Sequence, residues 1–363
     1  MNTYHVFIYY IIPLLLVLGA LIFFHELGHF FIAKLFGVKV LRFSLGLGPK
    51  LFGKQIGETE YAISVIPFGG YVKMLGENID DDEPIPPSEE HRAFNNQPVL
   101  KRIAIVMAGP IFNLLLALII FMLFYSIVGE RVLIPEVGAI KKNSPAQKAG
   151  IKPGDLIIAI DGVFIHKWED IKNIVHKKGC VPILLTIKRQ DKYINIEVIP
   201  EKGITNNIFG EKIKTVIIGI IASGKTQLIK LPFIRAVKEA FIKTWEIIRL
   251  TCVTIVKLIE RIVPVKTLGG PILIGQITGK IAQENWIYLI PFTAVISINL
   301  GILNLLPIPI LDGGLIMLLF IELVMGRPLD QKIQETAHKV GLILLICLMA
   351  MVMYNDITRI LTK

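Results

Sequence analysis

The sequence predicts an α-helical integral membrane protein: four transmembrane helices, a membrane-associated β-hairpin region and an external α/β domain. Composition, the spacing of long apolar runs and a change of periodicity between those runs all point this way. Hydrophobic residues make up 53% of the chain and charged residues 19%, with a mean hydropathy of +0.63. A soluble domain carries about 45–50% apolar and about 25% charged residues. The length of 363 residues leaves room for two or three domains. The net charge of +10 suits cytoplasmic loops beside anionic lipid. No nucleic-acid motif accompanies it, so no nucleic-acid partner is expected. Cys180, Cys252 and Cys347 are too few and too scattered for a disulfide framework or a zinc finger.

The first span covers residues 7–36. Met1 to His5 carries no basic stretch, and the apolar run after it contains His-Glu, so it reads as a retained span rather than a cleaved signal peptide. Residues 37–75 alternate apolar and polar positions with glycines between, the pattern of strands and hairpins. Residues 80–90, acidic and rich in proline, read as a flexible surface linker. A second span covers 103–128. Residues 129–204 read as a compact external α/β domain, with strands near 183–188 and 193–199. Residues 205–284 read as a connector whose amphipathic stretch, 233–260, suits a helix lying in the membrane interface. The last part, 285–363, holds a third span at 286–306, a resumed apolar stretch at 315–325 and a fourth span at 340–353 that extends through 360. Residues 1–128 form the remaining division, with the first two spans and the hairpin loop.

Orientation follows from basic residues near the spans. Lys34, Lys39, Arg42, Arg92, Lys101 and Arg102 flank the first loop, and Arg327, Lys332 and Lys339 lie in the last. The positive-inside rule makes both loops cytoplasmic and places both termini outside.

The chemistry is concentrated in two places. His25-Glu26-Leu27-Gly28-His29 sets two histidines four residues apart on one helix face, where both imidazoles reach one zinc ion. Glu26 projects about 100° round the axis from His25, close enough to reach a metal-bound water. A polar helix face is the bland alternative. An acidic group at a bilayer centre costs about 2.5–3.5 kcal/mol, so ionisable residues inside an apolar span are functional by default. Asp312 is the only acid between residues 286 and 321, placed after Pro307 and Pro309 and before two glycines. The prolines forbid a regular helix, and irregular backbone at membrane depth lines a cavity or is covered by protein. A broken helix delivering one carboxylate meets the need for a third zinc ligand, although a surface-loop aspartate has the same sequence signature.

These two motifs resemble the site-2 protease family of intramembrane metalloproteases, and within it the PDZ-containing bacterial branch of regulator of sigma-E proteases. The likeness extends to Gly69-Gly70-Tyr71-Val72-Lys73-Met74, Gly109-Pro110-Ile111-Phe112-Asn113, Leu268-Gly269-Gly270-Pro271-Ile272 and the stretch from Asn304 to Gly313, over nearly the whole chain. The resemblance implies His25, His29 and Asp312 as ligands of Zn2+, Glu26 as general base, and Asn304 as a substrate contact or oxyanion donor. Asn113 is a second oxyanion candidate, or else a polar tie between helices. Residues 144–162 resemble the permuted PDZ form of bacterial proteases. Such a module binds a peptide or chain end by sheet-edge addition, or acts as a spacer that limits access. Some members carry two PDZ modules, whereas residues 132–200 hold one.

The implied activity is hydrolysis of peptide bonds in or near the transmembrane segment of single-span proteins (regulated intramembrane proteolysis). Pre-trimmed anti-sigma factors and remnant signal peptides are the substrate classes, and the bacterial inner membrane is the location. A substrate helix hides its carbonyls and must unwind, so a strand edge within 37–75 is expected to receive it, with Ile63 and Val65 as the positions whose replacement by proline breaks that pairing. A metal-ion transporter and a non-catalytic membrane scaffold are the competing classes. Neither needs a glutamate beside the histidine pair.

Overall fold

A computed structural model describes residues 7–77 and 85–362. Met1 to His5 and the first part of the expected linker, Asp80 to Pro84, lie outside the described residues. The chain divides into two compact units, one made of Met1–Phe124 with Val237–Lys363, the other of Tyr125–Ala236.

In the first unit a π-helical turn, Phe7–Ile11, runs into helix α1, Ile12–Leu35. Pro13 falls in the first helical turn, where its missing N–H leaves nothing unsatisfied. The helix stops at Gly37, whose φ of +78° closes the turn. Strands β1, Val40–Ile56, and β2, Thr59–Met74, follow. Each strand pairs twice. Phe43 faces both Val72 and Tyr61, and Ile63 faces both Leu45 and Phe52, so two long strands build four stretches side by side in the order 50–56, 59–66, 40–47, 70–74. The break in β1 falls at Gly46, whose φ of +93° a residue with a Cβ would resist. Residues 70–74 form an outer edge of this sheet, with no strand beyond them among the described residues. Ile63 and Val65, expected on a receptive edge, lie instead on the inner stretch of β2, flanked on both sides by β1. Proline there would break the hairpin itself. The β1–β2 turn is anchored by Glu58, which accepts from Arg92 at 2.8 Å and Lys34 at 2.5 Å. Arg92 first, then Lys34, hold its carboxyl well below the usual range, at about 2.

Helix α2, Val99–Ile127, contains Pro110. Ala33, Phe43, Val72, Phe94, Ile105 and Leu319 share one buried cluster, which fixes α1, the hairpin and α2 against a later helix.

The second unit contains β3 (Glu130–Leu133), β4 (Val137–Ile140), α3 (Pro145–Lys148), β5 (Leu156–Ile160), β6 (Val163–Phe164), α4 (Trp168–Lys178), β7 (Ile183–Arg189) and β8 (Lys192–Val198). Four more strands follow: β9 (Glu201–Asn206), β10 (Lys212–Ile217), β11 (Ile220–Ala222) and β12 (Thr226–Ile229). A four-stranded sheet of order β6-β5-β7-β8 covers a core of Ile157, Ile160, Ile171, Leu185 and Ile187. The compact unit runs past the boundary expected at 204 because β11 pairs with β4 and β12 with β3. Asp155 and Asp161 serve the fold. Asp155, buried, takes Arg189 on both oxygens at 2.7 Å, and Asp161 accepts the Leu184 N–H at 2.8 Å.

The first unit resumes within α5, Phe233–Ile259, and continues with α6 (Pro271–Glu284), α7 (Leu289–Asn304), α8 (Asp312–Met325) and α9 (Gln331–Leu361). Helix α5 leaves Phe241, Trp245 and Ile259 exposed, while its Thr251 hydroxyl donates to Asn299 of α7 at 2.7 Å. Asp356 of α9 is buried and caps the start of α6, accepting from Gly270 at 3.1 Å and Leu273 at 2.9 Å. Among the described residues, four helical stretches are long and apolar enough to cross a membrane: Phe7–Leu35, Val99–Ile127, Trp286–Asn304 and Lys332–Leu361. The last begins earlier than its apolar core, taking Lys332 and Lys339 into its opening turns.

Candidate metal centre

His25, Glu26 and His29 stand on α1, one helical turn separating the imidazoles. Asp312 opens α8 after an irregular turn at 305–311, in which Ile308 donates to Leu306 and Leu311 donates to Ile308. That turn folds tightly over the first turn of α8. A Cβ on Gly313 would lie 2.3 Å from the Leu305 carbonyl oxygen, so a side chain there would push Asp312 away.

The three side chains meet. His25 Nε2 lies 3.3 Å from His29 Nε2 and 3.2 Å from Asp312 Oδ2, and His29 Nε2 lies 3.6 Å from Asp312 Oδ1. One ligand atom from each falls within 4.8 Å of the others, a group that could hold a metal ion. Asp312 Oδ2 is buried and has no hydrogen-bond donor, although His25 Nε2 is close. Two ring nitrogens and an unsatisfied carboxylate oxygen aimed at one point would repel each other, and a divalent cation removes that repulsion. Two nitrogens and one oxygen, with a position left for water, is the donor set of a catalytic zinc site.

The surroundings fix the rings. His29 Nδ1 donates to the Ile105 carbonyl at 2.9 Å, which leaves its Nε2 lone pair facing the cluster. A Cβ on Gly109 of α2 would sit 2.2 Å from His29 Nε2 and 2.8 Å from His25 Cε1, so only glycine leaves room for both rings. Gly28 of α1 lies against the Ala108 backbone, where a Cβ would come within 2.4 Å of the carbonyl oxygen. Glu26 faces the hairpin. The Val72 backbone lies against its carboxylate, and a Cβ on Gly70 would approach its Cγ to 3.1 Å. The outer edge at 70–74 therefore runs beside Glu26.

The two asparagines separate. Asn304, at the end of α7, brings Nδ2 to 3.3 Å from His25 Nε2, on the ligand side of the ring. Asn113 is fully buried, and its amide meets His25 Nδ1 at 3.2 Å, on the opposite side. All six residues singled out in the sequence thus gather round one helical turn of α1. Gly109 and the Ile105 carbonyl had no assigned part. The first was visible as a glycine four residues before Asn113, while the second is a backbone atom with no signature in the sequence.

The family model described as peptidase family M50 matches residues 13–348. The chain belongs to peptidase family M50. Among its relatives, a protein of Clostridium acetobutylicum with a provisional zinc metalloprotease name is 38% identical, covering 96% of this chain and 97% of its own length. The regulator of sigma-E protease RseP of Escherichia coli is 30% identical, covering 98% of this chain and 99% of its own. Among solved structures, the PDZ domain of an SdrC-like protein of Listeria innocua is 25% identical over 24% of this chain and 92% of that chain, at a TM-score of 0.20. As an M50 peptidase the chain is a zinc metalloprotease. Its four apolar helices and its likeness to RseP support a multi-pass membrane protein.

Proposed function

We propose that this peptidase cleaves single-span membrane proteins within or beside their transmembrane segment, with His25, His29 and Asp312 holding the zinc ion and Glu26 acting as general base. The observation that carries the proposal is the meeting of those three ligand atoms beside a helix apolar enough to span a bilayer, which supplies two of them. When bound, zinc supplies Lewis acidity to the scissile carbonyl and lowers the pKa of water to about 7. Glu26 takes the proton of the attacking water and hands it to the leaving amine nitrogen. Asn304 turns its amide N–H toward the same space and donates to the developing oxyanion.

The outer edge at 70–74 beside Glu26 is the place for an unwound substrate, held by main-chain hydrogen bonds with its scissile carbonyl near the base. The unit at 125–236 is a PDZ module that binds a chain end or limits access, and α5 lies in the membrane interface. The chain sits in a bacterial inner membrane with both termini periplasmic, and its substrates are pre-trimmed anti-sigma factors or remnant signal peptides. Detergent-purified wild type and Glu26→Gln, assayed for bound zinc and for cleavage of a single-span substrate, test the central claim. Both should hold about one zinc per chain, and the variant should lose about 10²–10⁴-fold in rate. A wild type that binds no zinc, or a variant that cuts as well as wild type, would sink it.

A further inference from the structure

His25 has two ring nitrogens with different neighbours. On the Nε2 side stand His29 Nε2 at 3.3 Å, Asp312 Oδ2 at 3.2 Å and Asn304 Nδ2 at 3.3 Å. On the Nδ1 side stands the amide of Asn113 at 3.2 Å, fully buried in α2. We infer that Asn113 is a positioning residue: its side-chain oxygen accepts the Nδ1–H of His25 and so holds that ring in the one tautomer that offers Nε2 to a metal. The inference rests on the metal-centre reading above.

The ligating form of His25 is the neutral imidazole. It carries one proton, on one nitrogen only. To face the cluster as a ligand, Nε2 must present its lone pair. The proton then sits on Nδ1, aimed at Asn113. A protonated Nδ1 cannot accept from an amide N–H, so Asn113 must turn its oxygen to the ring. The two ends of an amide have the same shape, so chemistry decides which faces the ring. As the structure stands, the amide nitrogen faces Nδ1 and the amide oxygen is buried without a partner; exchanging the two ends gives that oxygen the Nδ1–H.

The neighbouring histidine makes the comparison. His29 meets the same need with the Ile105 carbonyl, a group that can only accept. His25 lies one helical turn away and finds a side-chain oxygen instead. The Asn113 position is fixed in turn. The Ser297 hydroxyl of α7 donates to its backbone carbonyl at 2.7 Å, and a Cβ on Gly301 would lie 3.4 Å from the Asn113 Cβ. Buried on the far side of the ring from the ligand cluster, Asn113 has no route to a substrate carbonyl. This sets aside its expected oxyanion role.

The test compares zinc affinity of the full chain in detergent, measured against a chelator of known strength, for wild type, Asn113→Asp and Asn113→Leu. Aspartate keeps an acceptor and removes the donor, and leucine removes both. Asn113→Leu should weaken zinc binding by about 10–100-fold, the usual effect of losing a partner behind a ligating histidine, while Asn113→Asp should bind within a few-fold of wild type. Equal affinity in all three with cleavage lost would make Asn113 a substrate contact and overturn the inference. Loss of affinity in both variants would make its N–H the working group and overturn it equally. Should the leucine variant not fold, 15N-histidine resonances of metal-free wild type decide: His25 protonated at Nδ1 is the expected result, and protonation at Nε2 refutes it. A wild type without measurable zinc affinity would instead refute the metal centre itself.

Discussion

Replacing Gly109 with alanine adds one methyl group at the tightest point round the centre. The new Cβ would lie 2.2 Å from His29 Nε2, and ordinary contact begins at 3.4 Å, so the ring or the helix must give by about 1.2 Å. The helices cannot part cheaply, because Gly28 of α1 already rests on the backbone at Ala108 one residue away. Metal–ligand distances tolerate about 0.2 Å, several times less than the shift required. A misplacement of about 1 Å costs on the order of 10²-fold in rate, and overpacking a tight interior costs about 1–3 kcal/mol in stability. Gly109→Ala should therefore lose zinc in a chelator competition and lose cleavage by at least the same order. Gly19→Ala is the control: the same change on α1 meets nothing within 4 Å and should bind zinc and cut like wild type. A Gly109→Ala protein with wild-type zinc affinity and turnover would refute the packing argument, and with it the claim that α2 sets the ring positions.

Asn304→Leu should keep zinc but lower kcat by about 10²–10³-fold with little change in KM, as removal of an oxyanion donor does; an effect confined to KM would mark Asn304 as a ground-state contact. Arg102 and Glu322 form a buried ion pair between α2 and α8. Arg102→Met alone should lower stability by about 3–5 kcal/mol, and Arg102→Met with Glu322→Leu should recover most of it. Thermal unfolding in detergent checks this, and a double variant no better than the single would show that the pair is not what fails.

The His25–His29 motif was legible because its spacing is local. His25, Glu26 and His29 need only a helix to share a face, and the apolar run supplied the helix. Asp312 was legible because Pro307 and Pro309 cannot continue one. Long-range pairing was not legible. Ile220 meets Ile140 across some 80 residues, and nothing in residues 205–232 announces that they complete a unit begun at 125. The hairpin was visible in its alternation, but glycines such as Gly46 mark a break without naming the partner beyond it. Hence Ile63 and Val65 read as edge positions when both sides of that stretch are taken. Asn113 was legible as a residue type, but its place behind the His25 ring is a tertiary fact that local spacing does not carry.

The two histidines and Asp312 lie almost 300 residues apart in the chain, and that distance is also an interval of time. At about 5–20 residues per second of synthesis, the His25–His29 turn exists for about a quarter of a minute to a minute before the carboxylate that completes the ligand set is made. Throughout that interval the growing chain carries the two histidines and the base proposed above but no closed site.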